Sequence, residues 1–228
     1  MFTRLLILIS AGLLAIPSAF AGSVACRTGA GCLNGTDFFD WTDNFGPEYT
    51  TILNGSTATS NSTLITALVN FAGGGDGGRR DEGTSWVGNF TPGDELLWTN
   101  WPGQGPLTFT FSQAITGVGA NIQADWSGAF TAFLQLYDSS SNLVWSFAEA
   151  GNSSSSEDGS AIFIGLADMP AFTTAVFSLT YAADDLGDFA INQMDITTGS
   201  EVPEPALGLP LAVALMGMAA VRRRARRS

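Results

Sequence analysis

Residues Leu107-Thr108-Phe109-Thr110-Phe111 alternate apolar and hydroxyl-bearing side chains without interruption. Successive side chains of a β-strand point to opposite faces of a sheet, so this period of two predicts a strand with one buried face. Aromatic residues and threonine also favour strands. The same spacing recurs in two further segments, Leu143, Trp145 and Phe147, and Phe177, Leu179 and Tyr181. The centre of the chain is therefore predicted to be all-β.

Other segments extend this prediction. Residues 129–137 and 161–166 are more continuously apolar, as strands buried on both faces are. The alternation slips by one residue between Ile191 and Met194, which predicts a bulge in the last strand. Segments rich in Gly, Ser and Asp separate the predicted strands. We expect an all-β fold of two antiparallel sheets packed as a jelly-roll-like sandwich.

The N-terminus has the pattern of an export signal. Arg4 precedes an apolar run from Leu5 to Ile16, and Ala19-Phe20-Ala21 is an A-x-A cleavage sequence. Residues 1–21 are predicted to be a signal peptide, so the mature chain is expected to begin at Gly22. Residues 22–200 are then long enough for one β-sandwich domain with a sizeable core.

The C-terminus combines three features in residues 201–228. Pro203-Glu204-Pro205 is followed by sixteen uncharged residues, 206–221, and then by a cationic end that includes Arg222, Arg223 and Arg224. As a helix, the apolar run spans about 24 Å at about 1.5 Å per residue. A bilayer core is about 30 Å thick, so we expect a short membrane-inserted helix whose arginines stay on the cytoplasmic side.

This three-part tail resembles the PEP-CTERM sorting signal of Gram-negative bacteria. The resemblance implies processing near Pro203-Glu204-Pro205 by an exosortase, a membrane cysteine protease. It also implies export with transient inner-membrane anchoring, a place at the cell surface or in the extracellular matrix, and an association with exopolysaccharide. Residues 130–196 are similar to the β-sandwich domains found in front of such tails, through Phe163-Ile164-Gly165-Leu166 and Asp188-Phe189-Ala190-Ile191-Asn192.

The charge of the predicted domain narrows its functions. Residues 22–200 contain three cationic residues, Arg27, Arg79 and Arg80, against nineteen acidic ones, a net charge of −16. Such a surface repels nucleic acid, which is not an expected partner. The chain has neither His nor Lys, which excludes a Ser-His triad, a His-ligated zinc site and a Schiff-base lysine. We therefore expect a protein that is not an enzyme.

Carboxylates keep one enzymatic alternative open. A glycosidase needs only a pair of Asp or Glu residues across its substrate. Asp94, Glu95, Asp125 and Glu149 are the candidates, but the sequence does not say which of them lie together.

Cys26 and Cys32 are the two cysteines of the chain. An even pair in an exported protein predicts a disulfide. A metal site is the alternative, but the chain has no second Cys pair and no His to complete it.

Two groups of aspartates suggest calcium as a cofactor. Asp37, Asp40 and Asp43 lie near the mature N-terminus, and Asp184, Asp185 and Asp188 precede the last strand. If the first and last strands are neighbours, the two groups share a site of hard oxygen ligands. The alternative is that these carboxylates are solvated turn residues.

Tryptophans suggest a glycan-binding surface. Trp98 and Trp101 flank the turn at Thr99-Asn100, and Trp126 follows Asp125. An exposed indole stacks on a sugar face while Asp and Asn bind hydroxyls. The alternative is that these rings belong to the core, which is the expectation for Trp86 and Trp145. We expect an exported, glycan-binding protein, with a purely structural matrix protein as the alternative.

Overall fold

The computed structural model describes residues 24–100, 105–181 and 186–199. The predicted signal peptide and sorting tail lie outside these residues. No helix within the described ranges is long and apolar enough to cross a membrane. The elements are β1 Val24–Cys26, β2 Asp37–Phe39, α1 Trp41–Phe45, β3 Thr51–Ile52, β4 Ser56–Thr59, β5 Thr66–Phe71, β6 Gly77–Asp81, β7 Glu95–Trp98, β8 Leu107–Ile115, β9 Gly117–Ala124, β10 Gly128–Tyr137, β11 Leu143–Ser153, β12 Ile162–Ala167, β13 Phe172–Tyr181, β14 Phe189–Ile191 and β15 Met194–Thr197, with 3₁₀ helices at Ala30–Leu33 and Ala72–Gly74.

In the described part of the chain, these strands form two antiparallel sheets. The larger sheet has the order β1-β12-β9-β14-β7-β6-β3, with β15 pairing β9 and β2. The smaller sheet has the order β11-β10-β13-β8-β5-β4. The predicted all-β sandwich is confirmed. Of the eight strands from β7 to β14, four have the order β12-β9-β14-β7 in the larger sheet and four have the order β11-β10-β13-β8 in the smaller sheet. This arrangement is the connectivity of a jelly roll.

The core lies between the inner faces of the two sheets. On β8 the predicted alternation is confirmed, because Leu107, Phe109 and Phe111 are buried. Trp41 is at the centre of the core and packs against Phe39, Phe45 and Phe109 at centroid distances of 5.9 to 6.5 Å. Its indole Nε1 donates to the carbonyl of Asn192 at 2.8 Å.

The predicted bulge of the last strand is confirmed. Ile191 lies opposite Ile122, and Asp195 lies opposite Gly119. Between these two pairs the chain advances four residues from Ile191 to Asp195, whereas β9 advances only three. At this interruption of the strand pairing, the side chain of Asn192 accepts a hydrogen bond from the backbone N–H of Asn121 at 2.9 Å. The phase slip in the sequence is therefore the extra residue of a bulge.

The predicted disulfide is present, between Cys26 and Cys32, whose Cα atoms are 5.5 Å apart. It ties β1 to the first 3₁₀ helix. Buried Cys26 packs with Leu33, Phe163 and Ala167 in a small cluster beside the main core.

The expectation that Trp145 belongs to the core is wrong, whereas Trp86 is buried as expected. Trp145 is 45 % exposed although it lies opposite buried Leu136. The reason is its position on β11, which is the edge strand of the smaller sheet. An edge strand has a neighbour on one side only, so its side chains reach solvent even where the alternation predicts burial.

Candidate functional site

Two adjacent arginines on β6 have opposite environments. The side chain of Arg79 is 1 % exposed and forms ion pairs with Asp81 at 2.5 Å and with Glu95 at 3.5 Å. Its Nε also donates to the hydroxyl of Thr42 at 3.1 Å. Because side chains alternate along a strand, Arg80 points to the opposite face. Arg79 is therefore a structural residue, and Arg80 belongs to the outer surface of the larger sheet.

Arg80 packs between two aromatic rings. Its guanidinium lies 4.6 Å from the ring centroid of Trp98 and 5.4 Å from that of Tyr49. Nη1 donates to the carbonyl of Arg79 at 2.8 Å. Burial lowers the pKa of Arg80, while Tyr49, Asp125 and Glu48 act in the opposite direction. No carboxylate of the described residues forms an ion pair with Arg80.

Two carboxylates lie beside this stack. Asp125 and Asp188 are opposite each other, since the N–H of Asp125 donates to the carbonyl of Asp188 at 2.9 Å. Burial raises the pKa of both carboxyl groups; Arg80 opposes the rise at Asp125, and Asp125 adds to the rise at Asp188. Asp188 is 2 % exposed, and its Oδ2 has no hydrogen-bond partner among the described residues. A buried acceptor without a donor is costly unless the group is protonated.

Trp126 follows Asp125 directly, in the turn between β9 and β10. It is 65 % exposed, and its backbone N–H lies 3.4 Å from the hydroxyl of Tyr181. That hydroxyl donates to the carbonyl of Asp188 at 3.2 Å, and burial raises the pKa of Tyr181 to about 12. We call the surface of Tyr49, Arg80, Trp98, Asp125 and Trp126 the aromatic patch.

The aromatic patch contains two of the three tryptophans expected to bind glycan. Trp98 is half-buried against Trp86 and Arg80, and Trp126 is largely exposed beside Asp125. Trp101 lies outside the described residues. Tyr49 and Arg80 were not predicted, because their place beside Trp98 depends on the pairing of β6 with β7. The one signal in the sequence is that Arg80 is among three cationic residues of a strongly acidic domain.

Asp37 and Asp188, from the two aspartate groups expected to bind calcium, are not brought together. The last strand, β15, pairs with β2 rather than with the first strand β1, which pairs with β12, and this pairing places Asp37 opposite Ile196. Ile196 pairs with Val118, whereas Asp188 lies opposite Asp125, seven residues further along β9 and its turn. At about 3.3 Å per residue this separates Asp37 from Asp188 by about 23 Å. Asp185 lies outside the described residues.

Asp37, Asp40 and Asp43 have structural roles. The carboxylate of Asp37 accepts from the backbone N–H of Ser62 at 2.8 Å and of Thr63 at 2.7 Å. Burial alone would raise the pKa of Asp37, but hydrogen bonds from Ser60, Ser62 and Thr63 hold it well below its usual range. Asp40 caps α1 by accepting from the N–H of Asp43 at 2.8 Å. Across the described residues no group of three or more acidic or Cys side chains is placed to hold a metal ion, and the calcium site stays a prediction.

The four candidate carboxylates of a glycosidase fall in three places. Asp94 and Glu95 line a cleft of about 230 Å³ together with Asp40, Asn192 and Gln193. Burial, with Asp40 as a further cause, raises the pKa of Glu95. Asp125 belongs to the aromatic patch, and Glu149 pairs with Arg27 at the edge of the sandwich. Of these four candidates, Asp94 and Glu95 are the two that line one cavity among the described residues.

The described residues thus define an antiparallel β-sandwich protein with an aromatic patch on the outer face of its larger sheet. No protein-family model and no curated protein matches the chain. Among solved structures it is similar to a DUF4465 family protein from Bacteroides caccae ATCC 43185, with a TM-score of 0.40 and 10 % identity over 69 % of this chain and 97 % of that one.

A second similar structure is the enzymatically active domain of tailspike protein 4 of bacteriophage CBA120. Its TM-score is 0.29 with 12 % identity, and the match covers 69 % of this chain and 20 % of that one. The chain therefore spans about a fifth of that protein. At these scores neither similarity bears on function.

Proposed function

We propose that this is an exported, non-enzymatic protein of the cell surface or extracellular matrix that binds glycan at the aromatic patch. The observation that carries the proposal is the guanidinium of Arg80, held 4.6 Å from the ring of Trp98 and influenced by Asp125, which the exposed Trp126 follows directly in the chain. Aromatic faces stack on the C–H face of a pyranose, while a planar cation and a carboxylate bind its hydroxyl groups.

The charges favour an uncharged glycan. The patch places one arginine near the carboxylate of Asp125, which has Asp188 beside it, on a domain of net charge −16. An acidic polysaccharide approaching this surface is repelled, and the repulsion weakens only with added salt. A neutral hexose polymer forms hydrogen bonds with the donors and acceptors of the patch without this electrostatic repulsion. We therefore propose a neutral exopolysaccharide as the ligand.

Replacing Trp126 by alanine tests the patch. Trp126 is 65 % exposed, so its loss removes a stacking surface with little effect on folding. Binding to neutral glycans on an array should weaken at least about tenfold, which corresponds to about 1.4 kcal/mol. Trp145→Ala is the matched control, because Trp145 is 45 % exposed on the edge strand β11, away from the patch. It should leave binding unchanged.

The same array distinguishes the alternatives. Equal losses in the two tryptophan variants would place binding elsewhere, and wild-type binding to no glycan would favour a purely structural matrix protein. A carboxylate glycosidase acting at the cleft of Asp94 and Glu95 would release reducing sugar from the bound glycans. We expect no such release.

We further propose that an exosortase sorts the protein through its C-terminal tail. The proposal rests on the sequence Pro203-Glu204-Pro205, the apolar residues 206–221 and the arginine cluster that follows. Replacing the three motif residues by alanine should abolish processing near the motif, and the mature mass should increase by the retained tail. Mass spectrometry of the exported protein measures this. Processing that continues at the same bond contradicts the exosortase proposal.

A further inference from the structure

The outer face of the smaller sheet carries no acidic or basic side chain among the described residues. Cross-strand pairing aligns one complete row over all six strands: Thr57, Leu68, Thr110, Thr174, Tyr137 and Leu143. The parallel rows add mostly Thr, Ser and Ala, together with Val176, Gln135 and Phe133. Leu68 is 42 % and Leu143 is 53 % exposed. We call this surface the uncharged face.

The rest of the domain is acidic. Residues 22–200 carry a net charge of −16, and the carboxylates of the described residues lie on the larger sheet, in the loops and at the edges. Asp138 and Glu149 are the carboxylates nearest to the uncharged face. Asp138 is in the β10–β11 turn. Glu149 is on the other side of β11, opposite buried Ala132. Two copies of such a domain repel each other wherever their acidic surfaces meet.

We propose that the uncharged face is the contact between two copies of this chain. A two-fold axis through the face brings two surfaces without charge together and keeps the acidic surfaces of both copies apart. A neutral glycan does not need a face free of charge, since its hydroxyl groups bind carboxylates well. A second copy of this acidic chain does need a face free of charge, and this requirement identifies a second copy as the partner that binds there.

The size of the face sets the strength of the contact. Six strands about 4.8 Å apart span about 24 Å, and the seven residues from Thr131 to Tyr137 on β10 rise about 20 Å. The footprint is therefore about 500 Å² per copy, or about 1,000 Å² in total, which is at the lower limit for a specific interface. A contact of this size, without an apolar centre, is expected to be reversible.

A charge placed at the centre of the face tests the proposal. Thr110 is exposed and lies in the complete row, so Thr110→Glu should weaken association at least about tenfold, whereas Thr110→Gln, of nearly the same shape, should change it by less than about twofold. Sedimentation equilibrium of the full chain in one non-ionic detergent measures both, so that the apolar tail contributes equally to every variant. Raising the salt concentration from about 0.05 to about 0.5 M should strengthen wild-type association, because it screens the acidic surfaces.

Three results overturn the proposal. They are a wild-type chain that is monomeric at every concentration, equal weakening by Glu and Gln, and unchanged association in the Glu variant. If Thr110→Glu fails to fold, Leu68→Glu tests the neighbouring exposed position of the same row. Binding of a neutral glycan to the face of a monomeric wild type would assign the face to that ligand and remove the dimer.

Discussion

Replacing Arg79 by alanine is expected to destabilise the protein by about 3 kcal/mol, the lower end of the cost of removing one partner of a buried ion pair, because Asp81 and Glu95 are about a third exposed. Arg79 is 1 % exposed and joins Asp81 and Glu95 to the hydroxyl of Thr42. Without the guanidinium, two carboxylates of neighbouring strands face each other with no counter-charge. Urea unfolding at neutral pH, followed by tryptophan fluorescence, gives the free energy of unfolding.

The neighbouring arginine is the matched control. Arg80→Ala also removes one positive charge from β6, but Arg80 lies on the outer surface between Tyr49 and Trp98. We expect it to weaken glycan binding and to cost far less stability than Arg79→Ala. Similar losses of stability in the two variants would mean that net charge, rather than the buried ion pairs, determines the effect.

The strands were predictable because their signal is local. The alternation in β8 and β13 directly reports which side chains are buried, and the phase slip before Met194 reports the bulge in the same way. The disulfide was predictable from the two cysteines and their spacing. Each of these inferences needs only residues that are close together in the chain.

Other features depend on the order of the strands in the sheets, which the alternation of apolar and polar residues does not reveal. Trp145 has the same local pattern as Phe177, yet it is exposed because β11 is at an edge whereas β13 is inside the sheet. The aspartate groups illustrate the same limit. β2 and the last strand are neighbours, but Asp37 lies opposite Ile196 near the start of β9, whereas Asp188 lies opposite Asp125 beyond the end of β9, so that β14 and β15 lie between them.

The candidate site combines both kinds of information. Trp98 and Trp126 could be selected from the sequence because each is next to a turn and a polar residue. Arg80 joins them only through the pairing of Gly78 with Trp98, which places Arg80 and Trp98 on one face. The uncharged face likewise emerges from the registers of six strands, although each strand by itself is an ordinary mixture of apolar and hydroxyl side chains.

Several carboxylates of this protein are protonated more readily in the folded state than in the unfolded one. Burial raises the pKa of Glu82, Glu95, Asp125, Asp188 and Asp195. Glu82 is 2 % exposed; its Oε1 accepts from the N–H of Gly88 at 2.6 Å, but its Oε2 has no partner in the described structure. Glu157 and Asp94 raise its pKa further.

The sign of the pH dependence follows from these shifts. Between the unfolded pKa, about 4, and the raised folded pKa, the folded state holds protons that the unfolded chain has lost. Stability therefore falls as pH rises through this window and increases on mild acidification. Asp37 acts oppositely, because its lowered pKa contributes stability above about pH 4 that is lost in stronger acid. Stability is therefore expected to be highest at mildly acidic pH and to fall both toward neutral pH and in stronger acid.

Glu82→Gln isolates one buried carboxylate from this effect. The amide oxygen of Gln can still accept a hydrogen bond from Gly88, while the charge that burial disfavours is removed. The Tm at pH 8 should therefore rise. The fall of the Tm between pH 5 and pH 8 should also become smaller. For a domain of this size each kcal/mol moves the Tm by about 2–4 °C, which calorimetry resolves. Asp168→Asn, in an exposed loop, removes the same charge without touching a buried group. If the two variants shift the Tm equally at every pH, general repulsion among the acidic residues governs stability; if only Glu82→Gln flattens the profile, the buried carboxylate does.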